Sequence, residues 1–326
     1  MSDTIISRTY QTLLTTTHET FLSSGTVHDN VFDQSRTMQW LREGGRLKIV
    51  DGGERLREGL MYGMNSTAGW YSGYGLLNVT PQEGVTIASF NWKQGSVSIS
   101  YSGLELRSNK GKAKIADLVN TKEVQAELSI ADTIATGIFS DGTGTGNLQL
   151  TGLQAVCEST PGTTSYAGVP VANTAWRNRA QASAGAAAVN LLPYMRTIYN
   201  QSSQGKGMAS SVVDFIVTTR SVHESFEALH VPTIRNSSAK EGDLGFNRLR
   251  FKGAEVAWDP YCTSGCMYFM NSRHIMLVVE RDANLSMAAG GFQRPVNQDG
   301  FVAQILFQGN ITTNNRRKLG VIAGLT

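Results

Sequence analysis

Charge is spread along this chain so unevenly that it restricts the folds open to it. Residues 41–58, LREGGRLKIVDGGERLRE, hold nine charged side chains in eighteen positions: Arg42, Glu43, Arg46, Lys48, Asp51, Glu54, Arg55, Arg57 and Glu58. The next 34 residues, 59–92, hold one, Glu83. That stretch also carries Tyr62, Trp70, Tyr71, Tyr74, Phe90 and Trp92 together with six glycines. Asn65-Ser66-Thr67-Ala68-Gly69 and Tyr71-Ser72-Gly73-Tyr74-Gly75 are too polar and too glycine-rich to fill a core, so the pattern predicts an extended β-hairpin rather than a buried meander. A surface poor in charge and rich in Tyr and Trp has the composition of an interface core. Candidate contact residues are therefore Arg55 and Arg57 at its root and Tyr62, Trp70, Tyr71, Tyr74 and Trp92 along it.

The unevenness also explains a bulk property. Only 17% of the 326 residues are charged, against roughly 25% in an average soluble domain. The net charge of +3 is too small for a domain that wraps nucleic acid. No run approaches the roughly 18 apolar residues of a membrane span, and MSDTIISRTY has no signal-peptide core. A soluble chain that is not exported by the usual route is expected.

Beyond the hairpin the pattern changes. Ser96 to Tyr101 alternates with period two, as a half-buried strand does. From about Ser108 to Phe139, apolar residues at mainly helical spacing and the absence of proline predict one long helix of ~45 Å at 1.5 Å per residue. Lys110, Lys112 and Lys114 in its opening turns have the wrong sign for the helix dipole, which leaves either a solvated face or one turned to something acidic, such as a phosphate. Ser140 to Gly146 is a glycine-rich exit from the helix and lacks the Gly-Lys-Ser/Thr of a phosphate loop. From Leu148 onward strands and helices interleave, which gives an α+β class. A helix is expected over Ala180–Leu192, ending at Pro193, and a capping box at Ser221 and Glu224. Strands are expected over Val212–Val217, Leu249–Val256, Met267–Met270, Ile275–Val279 and Phe301–Ile311.

Motifs of catalysis are scarce. Five histidines are scattered, none in a metal-ligand spacing, and there is no nucleophile elbow, Cys-His signature or dinucleotide fingerprint. Cys262, Cys266 and His274 offer three ligands of a zinc site without a fourth, and the odd cysteine count argues against a disulfide framework. Asp282 and Asp299 fit turn or capping roles better than a carboxylate pair. No cofactor and no catalytic residue are expected.

The chain resembles a family at this point: the major capsid proteins of tailed bacteriophages. The resemblance is carried by Val50-Asp51-Gly52-Gly53, Asn65-Ser66-Thr67, Tyr71-Ser72-Gly73-Tyr74, Thr80-Pro81-Gln82-Glu83-Gly84, Trp92-Lys93-Gln94, Ser102-Gly103-Leu104-Glu105 and Phe139-Ser140-Asp141-Gly142-Thr143-Gly144. It continues through Thr151-Gly152-Leu153-Gln154-Ala155, Trp176-Arg177-Asn178, Val296-Asn297-Gln298-Asp299 and Gly309-Asn310-Ile311-Thr312. Each piece is unspecific alone; their order and spacing over positions 50 to 312 are what count.

The resemblance implies the tailed-phage capsid fold: an N-terminal arm over 1–50, an extended β-hairpin loop over 51–100, and a peripheral domain with a long spine helix over 101–147. An axial domain with a central sheet would occupy most of 148–326, with a C-terminal strand returning to the peripheral domain. It implies self-assembly through hexamers and pentamers into the icosahedral shell of a virion, formed in the bacterial host cytoplasm. Partners would be a portal, a separate scaffolding protein, decoration proteins and packaged double-stranded DNA held by weak contacts. Lys110, Lys112, Lys114, Arg316, Arg317 and Lys318 are the DNA-facing candidates. The chain starts at Met1 close to an arm-like Thr-rich segment, so a scaffold is expected as a separate protein. Nothing around Lys93 signals a Lys–Asn crosslink. A nanocompartment shell of the same fold holding enzyme cargo, and a metalloenzyme built on Cys262, Cys266 and His274, are the alternatives.

Overall fold

The computed structural model describes residues 35–108, 118–203, 212–230, 249–288 and 291–326. Lys110, Lys112 and Lys114 lie outside them. The first described element, α1 (Arg36–Arg42), begins at Ser35, whose hydroxyl caps Met38 N and donates to Asp259 Oδ2 at 2.7 Å. Its apolar side packs inward. Leu41 is buried, Trp40 stacks on Phe215 at 4.8 Å between ring centroids, and the Arg46 guanidinium lies 4.1 Å from the Trp40 ring.

After α1 come β1 (Leu47–Val50), β2 (Arg55–Met61), β3 (Val85–Asn91), β4 (Lys93–Ser102), α2 (Gly103–Ser108) and α3 (Leu118–Ile138). The second half holds β5 (Arg179–Gln181), α4 (Ala187–Ser202), β6 (Phe215–Thr218), α5 (Arg220–His230), β7 (Leu249–Phe251), β8 (Ala254–Trp258) and β9 (Met267–Met270), then β10 (Ile275–Met287), β11 (Gly300–Thr313) and β12 (Gly320–Ile322). The sheets have the orders β1-β10-β11-β4, β5-β12-β9-β6-β8-β7 and β2-β3. β1 runs parallel to β10 with Leu47 opposite Leu277.

The described chain forms two compact units. The smaller consists of Gly95–Thr133 and Asp282–Phe307, the larger of Ser35–Gln94, Ile134–Arg281 and Gln308–Thr326. Strands β4, β10 and β11 and helix α3 each pass from one unit into the other. In the smaller unit Ile99, Ile130, Ala303, Ile305 and Phe307 are buried, and Tyr101 packs on Phe292 and Phe301 at 5.2 and 5.5 Å. Asp299 is a clamp there: its carboxylate accepts from Arg107 at 2.6 Å and Arg294 at 2.7 Å, which holds its pKa below the ordinary carboxylate value.

In the larger unit α4 and α5 lie on the six-stranded sheet through Leu191, Met195, Ile198, Val222 and Phe226. β12 passes so close beneath α4 that a Cβ at Gly320 would meet the Ile198 side chain. Likewise a Cβ at Gly152 would strike the carbonyls of Gly137 and Ile138 at the end of α3.

Four local expectations change. Leu249–Val256 is not one strand: the chain turns at Lys252 and Gly253, both at positive φ, and returns antiparallel as β8. α3 covers 21 residues, about 30 Å at 1.5 Å per residue, instead of the full run from Ser108; residues 109–117 are outside the described ones. The alanine-rich run does not form a helix ending at Pro193. Its start pairs as β5, and α4 begins at Ala187 and continues through Pro193. The carbonyl deprived of a donor belongs to exposed Val189, while Met195, Ile198 and Tyr199 beyond the proline are buried and hold the helix on. At α5, Ser221 is already helical, and Glu224 pairs with Arg220 at 2.8 Å instead of closing a capping box.

Candidate assembly interface

β2 and β3 form an antiparallel ribbon with Leu56 opposite Phe90 and Leu60 opposite Thr86. Period-two alternation sorts its faces. Leu56, Leu60, Ala88 and Phe90 are buried on one; Arg55, Arg57, Met61, Val85 and Ile87 are exposed on the other. The root is well anchored. Phe90 meets Tyr166 edge-on at 5.8 Å, Ser89 N donates to Ala167 O at 2.9 Å, and Trp92 Nε1 donates to Gly53 O at 2.7 Å. Buried Asn310 ties the ribbon down: its amide donates to Asn91 O at 2.8 Å while its oxygen accepts from Thr151 N at 3.0 Å. Lys93 Nζ donates to Asn147 O, and partial burial lowers its pKa.

Past Met61 the anchoring stops. None of residues 62–84 is buried. The tip is held by short-range polar bonds: Asn65 Oδ1 accepts from Thr67 N at 2.9 Å, Asn78 Oδ1 from Thr80 N at 3.1 Å, and Ser66 Oγ donates to Gln82 at 2.7 Å. Trp70 and Tyr74 are as exposed as in an extended chain, at 105% and 106%, and Tyr71, Leu76, Leu77 and Val79 are exposed around them. Each such aromatic carries roughly 150–250 Å², about 4–6 kcal/mol of gross transfer free energy at 25 cal/mol per Å².

The predicted contact residues therefore divide. Trp70, Tyr71 and Tyr74 share the unburied tip, and Arg55 and Arg57 share the outer face of the root. Tyr62 stands where the ribbon meets the tip, and half-buried Trp92 is turned onto its own chain. The root also has an exposed ion pair, Asp51 with Arg281 at 2.9 Å. Asn310 and Arg281 were missed because their partners are roughly 160 to 230 residues away in sequence; the quoted Gly309-Asn310-Ile311-Thr312 motif was the only signal for the former.

Of the DNA-facing candidates, Arg316 is corrected. It is 3% exposed, its Nε and one terminal nitrogen donate to Val156 O at 2.8 Å and Ala155 O at 3.1 Å, Glu158 lies 3.7 Å away, and the guanidinium covers the Tyr166 ring at 4.4 Å. A side chain so enclosed cannot meet a polyanion. Arg317 is exposed and Lys318 half-buried.

The cysteine and histidine residues are otherwise occupied. Cys262 Sγ donates to Cys266 O at 3.8 Å, and His274 Nδ1 shares a 2.7 Å hydrogen bond with Asn314 Oδ1. Burial raises the pKa of both thiols and lowers that of His274. Burial also pushes Cys157 up to about 12, against the opposing pull of Arg316. Thiols held protonated are poor nucleophiles and poor ligands. No group of three or more His, Cys, Asp or Glu among the described residues could hold a metal ion, and none of the described helices is long and apolar enough to cross a membrane.

No family model and no curated protein matches the chain. Solved structures do. The capsid of cyanophage A-1(L) superposes with a TM-score of 0.68 at 15% identity, covering 93% of this chain and 96% of that one. The capsid of an empty GTA particle gives 0.62 at 10% identity over 92% and 100% of the two chains. An encapsulin of Synechococcus elongatus gives 0.53 at 9% identity over 92% of each. The chain has the mixed helix-and-sheet fold of tailed-phage capsids.

Proposed function

We propose that this chain is the major capsid protein of a tailed phage, assembling through pentamers and hexamers into an icosahedral shell around double-stranded DNA. The observation that carries the proposal is the tip at 62–84, which presents Trp70, Tyr71 and Tyr74 with none of the described residues covering them. A contiguous apolar patch of that kind is a liability on a monomer and an anchor in an assembly. A neighbouring copy covers it, and closed symmetry repeats the contact so that individually modest contacts become a cooperative shell. On this reading Gly95–Thr133 with Asp282–Phe307 is the peripheral domain and the larger unit beyond the hairpin is axial; most of the arm expected over 1–50 lies outside the described residues. Arg55 and Arg57 with the Asp51–Arg281 pair set the angle of the hairpin, each worth little alone in water and more as a network.

The remaining assignments follow from the same proposal. The protein is structural and not an enzyme, resides in the virion, and is assembled in the host cytoplasm with a portal, a separate scaffold and optional decoration proteins. DNA contacts are weak and salt-sensitive given the near-neutral charge.

Electron microscopy of the expressed full chain tests it. Shells or capsomer rings are expected, with one monomer band on a denaturing gel. Small oligomers only, unchanged by Trp70→Ala, would overturn it. The encapsulin likeness supports a second reading, a nanocompartment shell; nucleic acid in purified particles separates the two.

A further inference from the structure

The C-terminal edge of the larger unit collects positive charge that the described chain does not neutralise. The 3-10 turn Arg316–Lys318 leads into β12, which runs parallel to β5 with Gly320 opposite Arg179. Arg179 N donates to Leu319 O at 3.0 Å, so the first residue of β5 lies beside the turn. Arg316 turns inward to Glu158. Arg317 and Lys318 do not share that carboxylate. Lys318 Nζ is closed off from solvent without any acceptor, and Arg179 Nε is in the same condition.

The ion pairs among the described residues include none for Arg179, Arg273, Arg317 or Lys318. These charges act on one another instead. After burial, Arg317 and Arg179 hold the Lys318 ammonium below its ordinary pKa, and Arg317 does the same to Arg179. Next to them, His274 is depressed by burial and then by Lys318 and Arg273, against its bond to Asn314. An ammonium removed from water without an acceptor is strongly unfavourable. Like charges gathered around it add to that cost, and an anion bound among them would offset both.

We propose that Arg179, Arg317 and Lys318 form a binding site for one phosphate group, with His274 at its margin. Two guanidinium forks and an ammonium offer more donors than one carboxylate can accept, and they match the several oxygens and the double charge of phosphate. Exposed Arg317 opens the site to solvent. The unbranched stem of Lys318 lets its ammonium swing out to the ligand. The phosphate is either free in solution or part of a DNA backbone; only the second source rests on the shell proposed above.

The test uses the full chain and its variants Arg179→Gln, Arg317→Gln and Lys318→Gln, each checked for folding by circular dichroism. Radiolabelled orthophosphate is followed by equilibrium dialysis and a short DNA duplex by filter retention. Wild-type protein is expected to hold orthophosphate, each Gln variant to weaken it by about tenfold, and Lys318→Arg to stay close to wild type. Orthophosphate should also raise the His274 titration midpoint. If duplex displaces orthophosphate and the variants lose both, the backbone is the source. If only orthophosphate binding falls, the site takes free phosphate, and the shell proposal is untouched. A folded wild-type chain that holds no orthophosphate at millimolar concentration overturns the site. So do variants that bind phosphate normally yet fail to assemble, since a neighbouring copy's carboxylate would then be what meets these cations.

Discussion

The hairpin tip and the pocket around Arg316 break the usual rule of burial in opposite directions. At residues 62–84 the chain leaves Trp70, Tyr71 and Tyr74 in water. At Arg316 it removes a guanidinium from water and surrounds it with the carbonyls of Ala155 and Val156, the Glu158 carboxylate and the Tyr166 ring. The charge is tolerable only because its donors are met where the fold puts them. The aromatics are tolerable only if something outside the chain meets them. On the proposed reading the Arg316 region is complete within the subunit and the hairpin tip is completed by a neighbouring copy, and mutations should separate them: at the former they should change folding and at the latter association.

The largest effect is expected at the complete region. Arg316→Met removes donors from two carbonyls and leaves Glu158 beside an apolar side chain, a type of loss that costs about 3–5 kcal/mol. Set against a total stability of roughly 5–15 kcal/mol, the midpoint of urea unfolding should fall steeply, and little folded subunit should be recovered. An unchanged midpoint would mean that the guanidinium is not enclosed in solution.

Trp70→Ala should do the reverse. An exposed substitution leaves unfolding within about 0.5 kcal/mol of the original, while truncating a central interface aromatic typically removes at least about 2 kcal/mol per contact. The subunit concentration needed for assembly, read by light scattering, should rise at least about thirtyfold. Tyr74→Ala should act in the same direction. Normal shells from both variants would leave the tip without a role. Asn310→Ala lies between the two regions. It frees Asn91 O and Thr151 N at the ribbon root, so a loss of about 1–3 kcal/mol in folding is expected, with assembly impaired only as far as the ribbon loosens.

What could be seen in advance follows the same division. The tip was legible because depletion of charge and enrichment in Tyr, Trp and Gly are compositional, and because strand alternation in Ser96 to Tyr101 is a local signal. Arg316 was read with Arg317 and Lys318 as one basic run, and nothing in three adjacent cations says that one of them turns inward. Its partners at 155–158 lie about 160 residues away in sequence, a contact that no local pattern encodes. Pro193 misled for a related reason. The rule that proline ends a helix is local, and it was overridden by the buried face of Met195, Ile198 and Tyr199.

The smallest effect tests whether the larger unit has a third kind of region, one with charge gathered and left unmet. His274 has a folded pKa below its ordinary value, through burial first and then Lys318 and Arg273, with only the Asn314 bond opposing. A group depressed in this way is neutral when folded and binds a proton more readily when unfolded. Its contribution is thus fully present above the unfolded pKa of about 6.5 and is lost as pH falls through the lower, folded value. Carboxylates stay ionised above about pH 5, so a titration of the urea midpoint from about pH 8 down to pH 5 reads the histidines, and the His274→Gln variant singles out this one. The titration is best made in an amine buffer, on the Trp70→Ala chain below the concentration at which it assembles, where association adds nothing to apparent stability. The midpoint should decline below about pH 6.5. His274→Gln should flatten the decline, and Lys318→Gln should reduce it by removing one of the cations that depress the imidazole. A slope that survives His274→Gln would place the titrating group elsewhere, and one indifferent to Lys318→Gln would mean that this ammonium does not act on the imidazole.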